Sequence, residues 1–259
     1  MVEPIIRMKN IEKHFGLVIA LAGVSVDIMA GECHCLLGDN GAGKSTFIKT
    51  MSGVHKPSKG EIIFSGEAMK FERPRDAIAA GVATVYQDLA MIPLMSVSRN
   101  FFMGNEPIKK FAGISFFDHE YANRVTMQEM KKMGINLRGP DQAVGTLSGG
   151  ERQTVAIARA VHFGAKVLIL DEPTSALGVR QTSNVLATID KVRNQGIAVV
   201  FITHNVRHAM AVGDRFTVLN RGKTLGTAIR GEITPEELQD LMAGGQELAS
   251  LEGSLGGTV

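Results

Sequence analysis

Glycines, a lysine and a serine occur at fixed spacing in residues 38–45, which read Gly-Asp-Asn-Gly-Ala-Gly-Lys-Ser. This segment fits the pattern G-x-x-x-x-G-K-[ST], follows an apolar run at 33–37 and precedes a helical pattern that begins at Lys44. Glycine lets successive backbone N–H groups turn inward around an anion, and the start of a helix adds a partial positive charge. We therefore expect a phosphate-binding loop in which Lys44 contacts the β- and γ-phosphates of a nucleotide and the Ser45 hydroxyl is a ligand for Mg²⁺. The residues predicted to form this loop are Gly38, Asp39, Asn40, Gly41, Ala42, Gly43, Lys44, Ser45 and Thr46.

Two adjacent acids follow a second apolar run. Residues 167–170, Val-Leu-Ile-Leu, are typical of a buried strand, and Asp171 and Glu172 come directly after it. In a parallel sheet, ligands bind at the carboxyl ends of the strands, so these acids are expected beside the phosphate-binding loop. Asp171 is predicted to hold Mg²⁺ through water, and Glu172 to polarise the water that attacks the γ-phosphate. Acids are common where strands end, so the pair is informative only together with the loop at 38–45.

Both motifs need a sheet that brings them to one edge. Apolar alternation and short apolar runs predict strands at 5–8, 24–29, 33–37, 61–64, 82–86, 167–170, 198–203, 215–219 and 224–228. Helices are predicted at 44–51, 74–80 and 179–194, with a short final helix that starts at Pro235. Strands that alternate with helices indicate a mainly parallel sheet.

The composition and the hydrophobic periodicity of the sequence change in the middle of the chain. From 88 to 163 methionine becomes frequent, the strand pattern disappears and helical spacing dominates, as at 121–133. We interpret this part as a helical lobe inserted into an α/β core. Residues 244–259 are rich in Gly and Ser and are predicted to be a flexible tail.

Bulk composition excludes several classes of protein. The 28 Lys and Arg against 26 Asp and Glu leave a net charge of +2, too small to predict a nucleic-acid or lipid partner, although it is compatible with a local basic patch. Apolar runs such as 197–202 are far shorter than the roughly 20 residues that a membrane-spanning helix needs. The N-terminus has no basic segment followed by an apolar one, so no signal peptide is predicted. Cys33 and Cys35 flank His34 and are interpreted as reduced thiols in the core.

A second candidate anion site lies at 147–153, Leu-Ser-Gly-Gly-Glu-Arg-Gln. Ser148 is a helix N-cap by its residue type, and the N–H groups of the two glycines after it open a helix that is predicted to run to about residue 160. In this order, upstream of the acids at 171–172, the segment resembles the signature motif of ABC ATPases. The residues carried by this resemblance are Ser148, Gly149, Gly150 and Glu151.

The resemblance covers residues 5 to about 243 and implies a fold. An ABC ATPase has an α/β P-loop NTPase core, an N-terminal antiparallel β element and an inserted helical subdomain. We therefore expect a single ABC ATPase domain at 1–243, with its core at about 1–87 and 164–243 and its helical subdomain at about 88–163.

The resemblance also implies roles for single residues. Gln87 resembles the Q-loop glutamine that senses Mg²⁺ and water, and His204 resembles the switch histidine that contacts the γ-phosphate. Phe15 resembles the aromatic residue that stacks on adenine, with a core phenylalanine as the alternative. Gly178 departs from the family pattern, because that position usually holds an Asp that makes contacts across a dimer.

ABC ATPases work as pairs, so the resemblance implies a divided site. The loop at 38–46 and the acids of one subunit hold ATP and Mg²⁺, while 148–151 of the opposed subunit cap the γ-phosphate. A homodimer is the simpler expectation, since one chain supplies both halves.

Four further segments resemble one branch of the family. They are His14-Phe15-Gly16, Ala20-Leu21, the segment 85–89 and the segment 99–104, which are similar to bacterial monosaccharide importers of the fructose and ribose type. This resemblance implies a peripheral ATPase on the cytoplasmic face of the inner membrane, docked on permease subunits and served indirectly by a periplasmic sugar-binding protein, with no nucleic acid as partner. Coupling to the permease is expected near Gln87 and 98–104, and charges introduced at Phe101 and Phe102 are expected to abolish transport while nucleotide binding is spared. An exporter ATPase and a non-transport ABC ATPase are the alternatives.

Overall fold

The structure, a computed structural model, describes residues 3–244 of the 259. Its strands are β1 (Ile6–Phe15), β2 (Val18–Ile28), β3 (Cys33–Leu37), β4 (Lys59–Phe64), β5 (Glu67–Met69), β6 (Val82–Val85), β7 (Ile108–Phe111), β8 (Ile114–Phe117), β9 (Val167–Asp171), β10 (Ala198–Ile202), β11 (Arg215–Asn220) and β12 (Lys223–Ile229). Its helices are α1 (Lys44–Met51), α2 (Pro74–Ala80), α3 (Val97–Phe102), α4 (His119–Met133), α5 (Gly149–His162), α6 (Val179–Arg193), α7 (Val206–Val212) and α8 (Pro235–Met242). Residues 245–259, which hold most of the tail predicted to be flexible, lie outside the described range.

A six-stranded sheet carries the predicted site. Its order is β12-β11-β3-β10-β9-β6, and every neighbouring pair is parallel except β11 with β12. The central strands β3 and β10 are buried along their whole length, as their unbroken apolar runs predict for strands covered on both faces. Because these strands are parallel, the segments that follow β3, β6, β9 and β10 meet at one edge of the sheet. The predicted parallel sheet is therefore confirmed.

A four-stranded antiparallel sheet, in the order β2-β1-β4-β5, packs beside it. The strands predicted at 5–8 and 24–29 are parts of the long strands β1 and β2, which pair with several register shifts. Helix α1 lies between the two sheets, and its residues Phe47, Ile48 and Met51 are fully buried in their shared core. This packing holds the start of α1, and with it the glycine-rich loop at 38–45, against both sheets.

The middle of the chain contains a hairpin that the sequence analysis missed. Strands β7 and β8 pair antiparallel between α3 and α4, so the expectation that strands are absent from 88–163 is wrong. Ala112 and Gly113 form the two-residue turn, with φ values of 49° and 82°. Positive φ at both central residues is the geometry that a tight hairpin requires, and the flanking Ile and Phe residues favour strands.

Phe101 and Phe102 do not lie on the surface of the helical lobe. Both side chains are buried, at 0% and 2% exposure, among the aromatic rings of His162 and Phe163. A charge at either position would be buried without a partner and would destabilise the lobe. The apolar character of this segment therefore reflects core packing.

Two short helices were not predicted, α3 and α7. Each has an N-cap side chain, Ser96 for α3 and Asn205 for α7, which accepts a hydrogen bond from the third residue of its helix. Such caps are the signal from which both helices are predictable. No helix within residues 3–244 is both long enough and apolar enough to cross a membrane.

Candidate nucleotide-binding and hydrolysis site

The loop between β3 and α1 has a backbone that only glycine permits at two positions. Gly38 has a φ of 142°, and a Cβ atom there would lie 2.3 Å from the carbonyl oxygen of Leu219. Gly43 has a φ of 103°, and its Cβ would lie 2.9 Å from the carbonyl oxygen of Ala20. Gly43 is also the N-cap of α1 and supplies no side-chain acceptor to the first N–H groups of that helix. These donors suit an anion that binds at the helix start.

A cavity of about 440 Å³ opens over this loop. Its walls are formed by Val18, Ile19, Ala20, Asp39, Asn40, Gly41, Gly43, Lys44, Ser45, Thr46 and Arg221. The apolar side chains come from β2, and the polar groups come from the loop, from the first turn of α1 and from Arg221 between β11 and β12. A cavity with one apolar wall and a floor of N–H and hydroxyl donors fits a molecule with a flat base and a phosphate chain.

Phe15 lies at the end of β1 and is not part of this wall. Its ring is 44% exposed and makes an edge contact with His55, and Lys13 Nζ lies 5.1 Å from the ring centre. This exposure contradicts the alternative of a core phenylalanine. The stacking role on adenine remains a prediction.

Lys44 is buried inside the loop that it belongs to. Its ammonium group donates hydrogen bonds to the carbonyl oxygens of Gly38 and Asp39. Burial lowers the pKa of Lys44, and the nearby charges of Glu172, Asp39 and Asp171 oppose that shift. Lys44 thus holds the loop in shape and places a cation beside Asp171 and Glu172 at the end of β9.

Asp171 and Glu172 stand at the carboxyl end of β9, as predicted. Burial, and then the charge of Glu172, raise the pKa of Asp171, while Lys44 and Lys49 lower it. Glu172 has a φ of 49°, and its N–H donates to the carbonyl oxygen of Ile202 at 3.1 Å. A positive φ is uncommon for Glu and is held here by the neighbouring strand, a pattern found at functional sites.

Only one of the two carboxylate oxygens of Glu172 has a hydrogen-bond partner within the described residues. Its Oε1 lies 3.0 Å from Nδ1 of His204, and its Oε2 is buried without a hydrogen-bond partner within residues 3–244. An unpaired buried carboxylate oxygen is costly, so this atom suits a partner that arrives with the substrate, such as a water molecule. The side chain of His204 is 59% exposed and lines a neighbouring cavity together with Asp39.

Sequence reasoning missed a second histidine at this site. Nδ1 of His208 lies 3.0 Å from the hydroxyl of Thr174, in the segment that follows Glu172. Burial and the charge of His204 lower the pKa of His208, and Glu172 opposes that shift. A neutral His208 is suited to position the 172–174 segment by hydrogen bonding. No local sequence signal marks this pair, because the two residues meet only through the fold.

The predicted signature segment starts helix α5. Ser148 is its N-cap: the Ser148 hydroxyl accepts from the N–H of Glu151 at 3.3 Å, and the Glu151 carboxylate accepts from the N–H of Ser148 at 2.7 Å. A Cβ on Gly149 would lie 2.7 Å from Leu177, and one on Gly150 would lie 3.1 Å from Gln181. The glycines therefore let α5 begin in close contact with the start of α6.

The fold brings together some of the predicted site residues and separates others. The loop at 38–46 lies beside Asp171 and Glu172, and His204 joins them through Glu172. The cavity over the loop is lined by none of Asp171, Glu172 and His204. It is also lined by no residue of 148–151 and not by Gln87, which lies exposed after β6. Their roles toward a nucleotide remain predictions, and those of 148–151 require a second copy of the chain.

Gly178 occupies the N-cap position of α6. Its backbone is extended, with φ −69° and ψ 162°, no side chain caps the helix, and a Cβ there would meet nothing within 4 Å. We expect Gly178→Asp to raise the free energy of unfolding by about 0.5 kcal/mol, because the new carboxylate accepts from the first N–H groups of α6 and favours the helix dipole. Urea denaturation measures this change.

Gly178→Ala is the matched control, since alanine adds a Cβ without a capping oxygen. We expect this variant to be no more stable than the parent protein. Equal gains from Ala and Asp would contradict the capping explanation and would point to an entropic effect on the unfolded chain.

Comparison with known proteins agrees with this geometry. A family model described as ABC transporter matches residues 21–175. A xylose/arabinose import ATP-binding protein of Sulfolobus acidocaldarius is 42% identical over 92% of this chain and 93% of its own length. A fructose import ATP-binding protein of Rhizobium meliloti is 39% identical over 95% of this chain and 96% of its own length. A ribose import ATP-binding protein of Streptomyces avermitilis is 37% identical over 93% of this chain but 47% of its own length.

Solved structures share the fold. An ATP-binding cassette of an ABC transporter in its ADP conformation superposes with a TM-score of 0.80 at 23% identity, over 95% of this chain and 97% of that one. A dimeric bacterial ABC transporter cassette gives a TM-score of 0.73 at 24% identity, over 88% of this chain and all of that one. The phosphate-binding loop, the acids after β9, the family match and the two nearly full-length relatives lead to one conclusion: this chain belongs to the ABC transporter family, as an ATP-binding cassette.

Proposed function

We propose that this protein binds and hydrolyses ATP to energise the import of a monosaccharide, of the fructose or ribose type, through a membrane permease. The observation that carries the hydrolysis is the Glu172 carboxylate, which is hydrogen-bonded to His204 and has one buried oxygen unpaired beside the phosphate-binding loop. The sugar class is supported by the relatives, which are described as import proteins for xylose and arabinose, fructose and ribose.

Different residues of the site are proposed to bind the phosphates, to hold Mg²⁺ and to activate the attacking water. Backbone N–H groups of 41–46 and the ammonium of Lys44 bind the phosphate chain, and the apolar side chains of β2 face the base. Ser45, Asp171 and Gln87 are the residues that would hold Mg²⁺, which when bound neutralises charge on the phosphate oxygens. Glu172 accepts a hydrogen bond from the attacking water, and His204 holds that carboxylate in position.

Two copies of the chain complete the site. Residues 148–151 do not line the cavity over the loop, and we propose that the same residues of a partner cassette supply a second set of N–H donors. A solved cassette with this fold is described as dimeric, which supports the same arrangement. A symmetric pair buries the same two surfaces twice, with the loop of each copy facing Ser148 of the other. Hydrolysis removes the bridging charge and lets the pair reopen.

The permease is proposed to dock in a groove between the sheet and the helices at 97–162. This groove has a volume of about 320 Å³ and lies next to the segment that contains Gln87. Its lining includes Ile78 of α2, Leu89 of the segment after β6, Arg159 of α5 and Phe163, which directly follows α5. Such docking places the chain at the cytoplasmic face of the inner membrane, and closure at the nucleotide reaches the permease through the segment at 86–91.

Ile78→Glu is expected to reduce sugar uptake by at least about tenfold, because a charge in the docking groove opposes an apolar contact. Ile78 is 66% exposed, so the purified variant should keep its thermal stability and its ATP affinity. Ile229→Glu, on the edge strand β12 at 44% exposure, is the control and should transport normally. Normal uptake by the Ile78 variant would place the permease on another surface.

The function as a whole is tested by deleting the gene and measuring uptake of labelled fructose, ribose, xylose and arabinose. We expect uptake of one sugar to collapse, and to be restored by the intact chain but not by a Glu172→Gln version. Unchanged uptake of every sugar, together with reduced efflux of another solute, would favour an exporter ATPase. A purified chain that transfers phosphate to an added acceptor and not to water would contradict the ATPase.

A further inference from the structure

The hairpin formed by β7 and β8 carries apolar side chains that the rest of the described chain does not cover. Phe111 is 76% exposed, Ile108 63%, Ile114 60% and Phe116 47%. Four large apolar side chains on eight strand residues form a concentrated exposed patch, and such patches mark contact sites.

The pairing register puts three of these side chains on one face. Phe111 pairs with Ile114, and Lys109 pairs with Phe116, so the alternation of strand residues places Phe111, Ile114 and Phe116 beside Lys109 on one face. Ile108, the fourth exposed apolar residue, pairs with Phe117 and lies on the opposite face. The opposite face holds the hairpin to the protein through Phe117, which stacks edge-on to His119 at 4.7 Å and lies 5.7 Å from the guanidinium of Arg99. The hairpin is thus anchored at its base and presents an apolar face at its tip.

The charge of this hairpin has one sign. Residues 108–117 contain Lys109 and Lys110 and no acidic residue. The acids on either side of the hairpin accept hydrogen bonds from backbone N–H groups outside it. Glu106 accepts from the N–H of Gly104 at 2.8 Å, and Asp118 accepts from the N–H of Tyr121 at 3.1 Å. Two cations therefore lie directly behind an uncharged Phe-Ala-Gly-Ile turn.

We propose that this hairpin tip, residues 108–116, inserts into the headgroup region of a bilayer that contains anionic lipid. Aromatic and aliphatic side chains with adjacent lysines are the combination that binds such an interface, since the apolar groups enter the acyl boundary and the ammonium groups contact lipid phosphates. This contact goes beyond the proposed function, because it requires neither ATP hydrolysis nor a permease.

The size of the patch favours lipid over a second protein. Its four apolar side chains expose roughly 490 Å² in total, taking about 200 Å² for each fully exposed side chain. A stable protein interface buries about 800 Å² on each partner. The tip alone is too small for such an interface but is large enough for shallow insertion into a membrane.

The chain has no tryptophan, which allows a single-site reporter. In the full-length chain, Phe111→Trp is mixed with vesicles of phosphatidylcholine, with and without phosphatidylglycerol. We expect its emission to shift to shorter wavelength, and to be quenched by lipids brominated in their acyl chains, only with the anionic vesicles. Leu225→Trp on β12 is the control, and its emission should not change.

Vesicle co-sedimentation of the wild-type chain measures the energetics. Two double variants are made, Lys109→Glu with Lys110→Glu and Phe111→Ser with Ile114→Ser. We expect each to reduce the ratio of vesicle-bound to free protein at least about tenfold. Lys131→Glu with Lys132→Glu is the matched control, because these adjacent lysines lie exposed on α4 without an apolar tip beside them.

Three results would overturn the proposal. They are absence of wild-type binding to anionic vesicles, equal losses from the control pair, and an unshifted Phe111→Trp emission in bound protein. The wild-type chain could also fail to bind vesicles while the tip variants change its oligomeric state in size-exclusion chromatography. In that case the hairpin tip contacts a second protein and the lipid proposal fails. None of these readouts depends on ATP or sugar, so this failure is distinguishable from failure of the proposed function.

Discussion

Glu172→Gln is expected to reduce the rate of ATP hydrolysis by at least about a hundredfold while the Kd for ATP stays within about twofold. The amide keeps the size of the side chain but cannot accept a proton from the attacking water. Because Oε2 has no hydrogen-bond partner within the described residues, the substitution breaks no contact there. Phosphate release and nucleotide titration measure the two quantities.

Glu236→Gln, on the exposed surface of α8, is the control and should hydrolyse ATP at the parent rate. If two chains enclose the nucleotide, the Glu172 variant should also accumulate as a dimer with ATP, visible in size-exclusion chromatography. Hydrolysis at the parent rate by the Glu172 variant would mean that another group activates the water.

Lys44→Met is expected to weaken ATP binding by about a hundredfold or more. Hydrogen bonds to charged groups contribute about 1.5–3 kcal/mol each, and Lys44 is placed to make at least two with the phosphate chain. The variant also loses the hydrogen bonds from the ammonium to the carbonyl oxygens of Gly38 and Asp39, which hold the loop in shape. Isothermal titration with ATP measures the affinity, and thermal unfolding separates a binding loss from a folding loss.

Two companion variants sharpen this test. Lys44→Arg should bind ATP almost as poorly, because a planar guanidinium does not fit where a compact ammonium is held by two carbonyls. Lys49 lies five residues after Lys44 on α1. Lys49→Met leaves the lysine of the loop in place and should change the affinity for ATP by less than about fivefold. ATP affinity near the parent value in both Lys44 variants would show that the cavity over the loop does not hold the phosphates.

Several elements were predictable because local signals and long-range packing agree. The strand at 167–171 is uniformly apolar, so it lies inside a parallel sheet, and the acids that end it lie at the edge where the loop after β3 also lies. The pairing of Ile202 with Asp171 then brings His204 next to Glu172. The order of motifs along the chain was enough to expect this group, although not the distance between the two side chains.

The sequence by itself therefore determined the glycine-rich loop between β3 and α1, the parallel sheet and the acids at its edge. Only the tertiary structure decided that Phe101 and Phe102 are buried, that 108–117 folds into an exposed hairpin, and that His208 contacts Thr174. The physical reason is the same in each case. Periodicity and residue type report what a segment favours for its own backbone and which residues are apolar, but not which other segment covers them. Burial and side-chain pairing depend on contacts between residues far apart in the chain, and those are established only when the sheets and helices pack together.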